Sequence, residues 1–457
     1  MVIISGGDEY SPFTSKFYSK EALAEYLGDS VNENEPVLEY LFEKYNRATP
    51  RDVRRYDIIF YGVTGYTGKL VLEYLRDVYA KKPTEFTFAL GGRTESKVAA
   101  AQDAILKGTP FADAPIVTAQ LDKPYTVKQL VNSCRTVVNL AGPFMTTGGE
   151  VLAEACVIYE CDYCDVNGEL PYTYNLTRLH DRARHNRVRL VPNSAFAGGF
   201  ADIAAFAAVR KLKEKHNKPA RSCTGYIEQS ISELAGPSGG TLATRAAMAN
   251  APDSVKQIMA DPFGLGGRVS GNRPEDSDKT LSTVAKDEVG WLAPFNYAFL
   301  DTRVVRRANV MHQLMGGGLY GPVFNHQEYI LCPTEEIAQE IKKRAGSTKK
   351  EEEDLKAKGR YFAQGQGPSM EEMKGSWIRY TTVARTEDKE QVKLVFNFDV
   401  EAYYATAQIT TEVAICLAMA RDQLPYAGKG GVLSPSVACG QMLVDRLLAN
   451  GMSVSVE

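Results

Sequence analysis

Three glycines stand three residues apart in the stretch YDIIFYGVTGYTGK of residues 56–69, namely Gly62, Gly65 and Gly68. An apolar run precedes them and apolar residues at helical spacing follow, which predicts a strand, a tight turn and a helix. Such a turn can bind a dinucleotide, because glycine allows unusual backbone angles and lets a pyrophosphate approach the main chain. The N–H groups at the helix start would bind phosphate oxygens, with Thr64 and Thr67 as added hydroxyl donors. The alternative is a glycine-rich turn without a ligand.

A basic side chain follows the second predicted strand. Arg93 stands in the segment LGGRT, at a position where enzymes for NAD usually carry an acidic residue that binds the ribose 2′-hydroxyl. A guanidinium suits the 2′-phosphate of NADP(H) instead, and Lys97 lies one helical turn further on. We therefore expect NADP(H) rather than NAD(H). A surface arginine at a helix start is the alternative.

The fourth predicted strand runs into the segment NLAGPF, which contains Ala141, Gly142 and Pro143. Small side chains at this point would keep a crevice open for the ribose and nicotinamide of the cofactor. An ordinary turn is the alternative.

Two carboxylates, Asp165 and Glu169, follow the fifth predicted strand and converge on the same crevice. Either is a candidate general acid if burial raises its pKa. The alternative, which we favour, is that they cap the next helix near Pro171 and order the loop. Both are retained as candidates for catalysis.

Other catalytic motifs are weak. The Tyr-x-x-x-Lys pair of short-chain dehydrogenases occurs only at Tyr40 and Lys44, ahead of the glycine turn and therefore in the wrong order. The segment GPSGG of residues 236–240 matches the G-x-S-x-G serine motif, but it lies outside the predicted βα units. We expect a plain glycine turn there, because only His312 and His326 follow it as histidines.

Composition excludes several classes of protein. The chain has 457 residues and a formal net charge of −3, which gives no indication of a nucleic-acid partner. No window approaches the ~20 apolar residues of a transmembrane helix, and the N-terminus lacks a secretory signal. Eight scattered cysteines then indicate reduced thiols in the cytoplasm. Cys161 and Cys164 form a C-x-x-C pair, but no second pair accompanies it and we expect no metal site.

Strands and helices alternate along residues 56–215. Six βα units in a row predict an α/β fold with a parallel, doubly wound sheet, whose ligand crevice lies at the carboxyl ends of the strands. The predicted strands cover residues 57–61, 86–90, 115–121, 136–140, 162–166 and 188–192.

The pattern changes after residue 215. Residues 216–400 contain predicted strands at 222–230, 377–386 and 392–400, which favours an α+β domain for substrate binding or dimerisation. Residues 401–457 contain two predicted helices, 405–421 and 441–448, that would return to the first domain. Residues 1–55 form an N-terminal extension with predicted helices at 20–27 and 36–45.

Several segments taken together resemble the saccharopine dehydrogenase-like oxidoreductases, to which mycobacterial trans-acting enoyl reductases are similar. These segments are GVTGYTGKLV, GGRTESKV, VVNLAGPFMTTGGEVLAEACVIYECDYCDVNGE, SAFAGGFADIAAF and the tail GKGGVLSPSVACGQMLVDRLLANGMSV. The resemblance covers residues 56–210 and the tail well, and it is thin over residues 250–380.

This resemblance implies a Rossmann-type domain that the C-terminal segment completes, with an α+β domain inserted. It implies that Ala141, Gly142 and Pro143 line the nicotinamide end, and that NADP(H) is bound by Gly62, Thr64, Gly65, Tyr66, Thr67, Gly68 and Arg93. It also implies a homodimer through the second domain and, for some members, association with lipid droplets or membranes.

The leading functional hypothesis is an NADP(H)-dependent oxidoreductase that transfers hydride to or from an unsaturated or carbonyl substrate. By analogy with the enoyl reductases the substrate would be lipid-like. One alternative is a non-catalytic NADP(H)-binding sensor or scaffold. Another is a genuine saccharopine dehydrogenase, although we place no cluster of arginines or lysines for a dicarboxylate within residues 222–330.

Overall fold

The structure is a computed structural model that describes residues 48–230, 236–268, 271, 276–278, 284–344 and 348–457. The helices predicted over residues 20–27 and 36–45 lie outside these ranges. Within them, the strands are β1 Tyr56–Tyr61, β2 Phe88–Gly92, β3 Ile116–Thr118, β4 Cys134–Asn139, β5 Asp162–Asp165, β6 Arg189–Val191, β7 Ala220–Gln229, β8 Ala285–Lys286, β9 Trp291–Pro294, β10 Tyr320–Cys332, β11 Ile378–Arg385, β12 Gln391–Phe398, β13 Gly431–Val432 and β14 Met452–Val456.

Helices cover much of the remaining described chain. They are α1 Tyr66–Val78, α2 Glu95–Leu106, α3 Pro124–Ser133, α4 Phe144–Thr147, α5 Gly149–Ile158, α6 Leu170–Leu176, α7 His180–His185, α8 Ala201–His216, α9 Gly239–Ala249, α10 Asp253–Ala260, α11 Ala298–Leu314, α12 Glu335–Arg344, α13 Thr348–Ala357, α14 Met370–Met373, α15 Ala402–Met419 and α16 Pro435–Ala449. None of the helices in the described ranges is long and apolar enough to cross a membrane.

Seven strands form a sheet in the order β13-β6-β5-β4-β1-β2-β3, and every neighbouring pair is parallel. The six predicted strands are all present, so the prediction of a Rossmann-type doubly wound sheet is confirmed. The chain leaves β1 toward β2 and β3, and then returns to the other side of β1 at β4. A crevice therefore opens beyond the carboxyl ends of β1 and β4.

Strand β1 is buried on both faces, as expected for the centre of a parallel sheet. Ile58 and Phe60 pack into one core with α1 and α15, whereas Ile59 and Tyr61 pack into another with α3 and α5. The alternation follows from side chains that point to opposite faces along a strand.

The second sheet is mixed and has the order β14-β12-β11-β7-β10-β9-β8. Strands β7 and β10 are parallel and all other neighbours are antiparallel. This arrangement confirms the predicted α+β character of the second region. The long strand β10 was not predicted, because its buried stretch NHQE is polar. Glu328 within it accepts a hydrogen bond from Tyr380 on β11 at 2.7 Å. Because this partner is 52 residues away in the sequence, the local pattern does not indicate that Glu328 can be buried.

The C-terminal segment contributes to both sheets. Helix α15 packs against α1, β4 and β5, as expected for a return to the first sheet, and β13 extends that sheet at its edge. Strand β14 pairs instead with β12 of the second sheet. Neither β13 nor β14 was predicted from the sequence. The exact division of the chain into four parts stays a prediction.

Candidate functional site

A cleft of about 1200 Å³ lies at the carboxyl ends of the strands of the first sheet. Its floor comes from the loops after β1, β2, β3, β4, β5 and β6. Its roof comes from α9, from the segment before α11, from residues 364–365 and from the start of α15. The cleft therefore lies between the carboxyl ends of the first sheet and the helices and loops of the roof, at the point where the strand order reverses.

Two glycines of the turn after β1 are required by close main-chain contacts. Gly62 has a φ of 97°, and a Cβ there would lie 2.8 Å from the amide nitrogen of Ala141. A Cβ on Gly68 would lie 2.4 Å from the carbonyl oxygen of Gly62. Any side chain at these positions would force apart the turn, α1 and the loop after β4.

The first turn of α1 faces the cleft. The helix is preceded by Gly65, which offers no side-chain cap, so its first N–H groups remain available to a ligand. Gly65, Tyr66 and Thr67 line the cleft together with Gly62 and Thr64. The structure thus brings together five of the six predicted residues in this turn, whereas Gly68 packs behind it.

Arg93 directly follows β2, is exposed, and lines the cleft beside Thr94 and Asp122. Its charge lowers the pKa of Tyr61, but burial has the larger effect and raises that pKa to about 12. In the part of the chain that the structure describes, Arg93 makes no ion pair. Lys97 is also exposed but does not line the cleft.

At the end of β4, Ala141 and Gly142 line the cleft, and Pro143 follows a cis peptide bond without lining it. The side-chain amide of Gln364 donates a hydrogen bond to the carbonyl oxygen of Gly142 at 3.3 Å. This contact connects the floor of the cleft to its roof.

Asp165 is fully buried and does not line the cleft. Its Oδ1 accepts hydrogen bonds from the main-chain N–H groups of Asn167 and Asn193 and from the side chain of Asn167. Among the described residues, no side chain or main-chain group makes a hydrogen bond of normal geometry with its Oδ2. Burial raises the pKa of Asp165 to about 6, but the group cannot reach a ligand in the cleft. Its position gives no support to the predicted role of proton donor.

Glu169 does line the cleft, but both of its carboxylate oxygens are already bound. Oε1 accepts from the N–H of Phe144 and Oε2 accepts from the N–H of Met145, each at 2.8 Å. The hydroxyl of Thr244 donates to Oε1 at 3.0 Å. Glu169 occupies the N-cap position of α6, as the capping interpretation predicts, but its side chain makes no hydrogen bond to that helix and binds the first N–H groups of α4 instead. The geometry favours an orienting role over proton donation.

A cluster of hydroxyl groups in the roof was not predicted as part of the site. Ser238, Thr241 and Tyr403 all line the cleft. Ser238 is the N-cap of α9, and its Oγ accepts from the N–H of Thr241 at 3.2 Å. The serine of the G-x-S-x-G match is therefore a helix cap. The rings of Tyr66 and Tyr403 pack edge to face, with their centroids 5.2 Å apart.

Residues 360–368 fix the roof to the glycine turn. The hydroxyl of Tyr66 donates to the carbonyl oxygen of Pro368 at 2.7 Å, and the N–H of Gly239 donates to the carbonyl oxygen of Gln366 at 2.9 Å. A Cβ on Gly367 would lie 2.6 Å from the ring of Tyr66. Tyr66 is thus held between the glycine turn after β1 and the second region of the chain.

The C-x-x-C pair lies in the core of the first sheet. Cys161 and Cys164 are buried free thiols, and their sulfurs have different neighbours, Cys134 at 3.8 Å and Thr410 at 3.9 Å respectively. No group of three or more potential metal ligands occurs in the described ranges. Burial lowers the pKa of His312 to about 4 and that of His326 to about 3, so both imidazoles are neutral.

No family model matches the chain. The chain is 28% identical over 432 residues to a protein of Mycobacterium tuberculosis whose name describes it as a trans-acting enoyl reductase, covering 89% of this chain and 98% of that protein. It is also 28% identical over 430 residues to the trans-acting enoyl reductase of Mycobacterium ulcerans, covering 88% and 98%. These relatives confirm the resemblance to trans-acting enoyl reductases.

Among solved structures, the chain is similar to the saccharopine dehydrogenase of Saccharomyces cerevisiae, at 9% identity and a TM-score of 0.47, over 88% of this chain and 99% of that one. The homospermidine synthase of Legionella pneumophila in complex with NAD is 10% identical, with a TM-score of 0.46, over 88% and 92%. These similarities are too low to add to the fold assignment, which rests on the strand order.

Proposed function

We propose that this protein is an NADP(H)-dependent oxidoreductase that reduces an enoyl or carbonyl group. The observation that carries the proposal is one continuous cleft. It runs from Arg93 at the end of β2, past the first turn of α1, to the loops after β4 and β5. A dinucleotide in a doubly wound sheet follows this path, with its pyrophosphate at the helix N-terminus.

The residues present fit such a cofactor. Gly65 leaves the N–H groups of the α1 start open to phosphate oxygens, and Thr64 and Thr67 add hydroxyl donors at the same place. Arg93 would bind the 2′-phosphate of the adenosine ribose. Ala141 and Gly142 would allow the nicotinamide to lie over β4. When bound, the cofactor supplies a hydride equivalent.

The other half of the cleft supports a largely uncharged substrate. Apolar side chains line it near the loops after β5 and β6 and on the opposite wall, namely Val166, Ala195, Ala197, Met248 and Phe299. Among the described residues, the cationic side chains that line the whole cleft are Arg93 and Arg245. With Arg93 assigned to the cofactor, a dicarboxylate substrate would lack the set of cations that it needs. This argues against the saccharopine dehydrogenase alternative.

A non-catalytic NADP(H) sensor is the second candidate. The observation that favours it is the position of the two predicted proton donors. Asp165 lies outside the cleft, and Glu169 is occupied by main-chain N–H groups. Homodimer formation and association with lipid droplets or membranes stay predictions that the resemblance implies.

Two measurements separate these functions. Titration of the purified protein with NADPH and NADH, followed by nicotinamide fluorescence, should give saturable binding with tighter affinity for NADPH. Steady oxidation of NADPH with crotonyl-pantetheine or a short 3-keto thioester should then support an enzyme. Tight binding without turnover over such a panel would favour the sensor. Failure to bind either nucleotide would contradict both.

A further inference from the structure

Two hydroxyl groups form a hydrogen-bonded pair in the roof of the cleft. The Oη of Tyr403 lies 2.8 Å from the Oγ1 of Thr241 and accepts the main-chain N–H of Ser238, also at 2.8 Å. The Oγ of Ser238 lies 3.2 Å from the Oγ1 of Thr241. All three side chains line the cleft and are part of its surface.

The N–H of Ser238 occupies one acceptor site of Tyr403 Oη. Either hydroxyl of the Tyr403–Thr241 pair can donate to the other. When the phenol donates to Thr241 Oγ1, the hydroxyl proton of Thr241 can be donated to a ligand in the cleft. Burial raises the pKa of Tyr403 to about 12, since it outweighs the opposing hydrogen bonds from Ser238 and Thr241. The phenol therefore remains protonated at neutral pH, as a proton donor must.

The pair lies above the part of the floor where chemistry is expected. Thr244, one turn after Thr241 on the same face of α9, contacts Glu169 at the end of β5. The ring of Tyr403 packs on Tyr66 of the glycine turn. Thr241 and Tyr403 thus stand between the phosphate-binding turn and the end of β5. The nicotinamide half of a dinucleotide crosses the sheet in this interval.

We propose that Thr241 and Tyr403 bind the carbonyl oxygen of the substrate and deliver the proton that accompanies reduction. The proposal rests on the proposed function and supplies the proton donor that Asp165 and Glu169 do not. The acceptor is the oxygen of an α,β-unsaturated thioester or of a ketone.

Reduction of the C=C bond of an enoyl thioester consumes one hydride equivalent and one proton. As the β-carbon gains a hydride equivalent, the C=C electron pair shifts to the bond between the α-carbon and the carbonyl carbon, and negative charge develops on the oxygen. The O–H bond of Thr241 breaks as the oxygen is protonated, and Thr241 takes the proton of Tyr403. The resulting phenolate is stabilised by the N–H of Ser238 and regains a proton from water. The enol then tautomerises to the saturated thioester.

A spectroscopic experiment tests this role without turnover. A probe such as 2,4-hexadienoyl-pantetheine absorbs at longer wavelength when its carbonyl oxygen is polarised by hydrogen bonds. Wild-type protein with NADP⁺ should produce a saturable red shift of the dienoyl absorbance. Tyr403→Phe removes the phenol oxygen but keeps the ring, and Thr241→Val keeps the shape of the side chain. Both variants should lose most of the shift.

Tyr404→Phe is the matched control. The hydroxyl of Tyr404 donates to Asp77 at 3.0 Å, and this residue does not line the cleft. The red shift of the dienoyl absorbance in Tyr404→Phe should therefore equal that in wild type. All three variants should retain the NADPH affinity of wild type within about twofold, because none removes a phosphate contact. If Tyr403→Phe fails to fold, as judged by thermal melting, Thr241→Val alone decides the outcome.

The results distinguish failure of this inference from failure of the proposed function. An unchanged red shift in Tyr403→Phe or in Thr241→Val overturns the inference and leaves the proposed function intact. No shift with wild type overturns the inference and the enoyl assignment, while saturable NADPH binding in the same sample still supports the cofactor. Where wild type turns over crotonyl-pantetheine, Tyr403→Phe should lower kcat by about 10²- to 10⁴-fold with little change in KM.

Discussion

Thr244 donates a hydrogen bond to Oε1 of Glu169 at 3.0 Å, and this contact ties helix α9 to the carboxyl end of β5. The same carboxylate accepts the N–H groups of Phe144 and Met145 at the start of α4. One buried side chain therefore orders three segments around the cleft. This carboxylate therefore fixes the position of the roof relative to the floor of the cleft.

Glu169→Gln should lower the free energy of unfolding by about 1–3 kcal/mol. Glutamine has one acceptor oxygen, so either Phe144 or Met145 would face an NH₂ group instead of an oxygen. Denaturant unfolding measures the change. Glu150→Gln is the matched control, because Glu150 is partly exposed and pairs with the exposed Arg178. Its loss should be about 0–1 kcal/mol. Equal losses in the two variants would contradict the capping role.

Arg93→Ala should weaken NADPH binding by about 10- to 100-fold, the range expected for loss of charged hydrogen bonds to a phosphate. NADH affinity should stay unchanged, because NADH lacks the 2′-phosphate. Fluorescence titration with both nucleotides measures the two affinities. Lys97→Ala, which alters a side chain that does not line the cleft, should change either affinity by less than about twofold. Equal weakening of NADPH and NADH by Arg93→Ala would place the 2′-phosphate elsewhere.

Gly68→Ala should destabilise the protein by about 1–3 kcal/mol or more. The added Cβ would meet the carbonyl oxygen of Gly62 at 2.4 Å and the Cα of Val63 at 2.6 Å, and both are main-chain atoms that cannot move aside easily. Gly168→Ala provides the comparison, because a Cβ there has nothing within 4 Å. Its stability should stay within about 0.5 kcal/mol of wild type. Thermal or denaturant unfolding would show the difference.

Asp165→Asn should stabilise the protein at pH 8 and have a smaller effect near pH 4. Burial raises the pKa of Asp165 to about 6 in the folded state, against about 3.9 in the unfolded chain. Protonation of Asp165 therefore stabilises the folded state relative to the unfolded state below the unfolded pKa. This stabilisation is lost as the pH rises through about 6. A difference of about two pKa units between the folded and unfolded states corresponds to about 3 kcal/mol in the free energy of unfolding.

The test for Asp165 is denaturant unfolding at several values of pH between 4 and 8. Asparagine keeps an oxygen for the three N–H groups now bound to Oδ1 and removes the negative charge of the carboxylate. Asp181→Asn, at a side chain that is 84% exposed, should show no such pH dependence. If the advantage of Asp165→Asn is the same at pH 4 and pH 8, the raised pKa is wrong.

The thiols give an independent check on the core. All eight cysteines are buried and free. Ellman's reagent should therefore react with less than about one thiol per folded chain over minutes and with all eight after denaturation. Rapid reaction of a pair in the folded protein would instead indicate an accessible C-x-x-C at Cys161 and Cys164.

Six of the seven strands of the first sheet were predictable from the sequence because their signals are local. β1 and β2 are short, mainly apolar runs, and each is followed by a turn and a helix within the next few residues. The turn at Gly62 to Gly68 and the basic side chain of Arg93 were likewise evident from spacing alone. Close packing of main-chain atoms accounts for two of those glycines.

The sequence did not determine which groups act together in the roof of the cleft. Thr241 and Tyr403 are 162 residues apart, and only the folding of α9 and α15 over the first sheet brings their hydroxyls together. The tertiary structure also separated two carboxylates that look alike in sequence. It buried Asp165 behind the floor and bound Glu169 to the start of α4. Strand β10 was missed for the same reason, since its polar side chains find partners in distant segments. The local pattern determined the strands and the glycine turn on the sheet side of the cleft, because neighbouring residues form them. Long-range contacts decided the opposite side, because its residues come from distant segments of the chain.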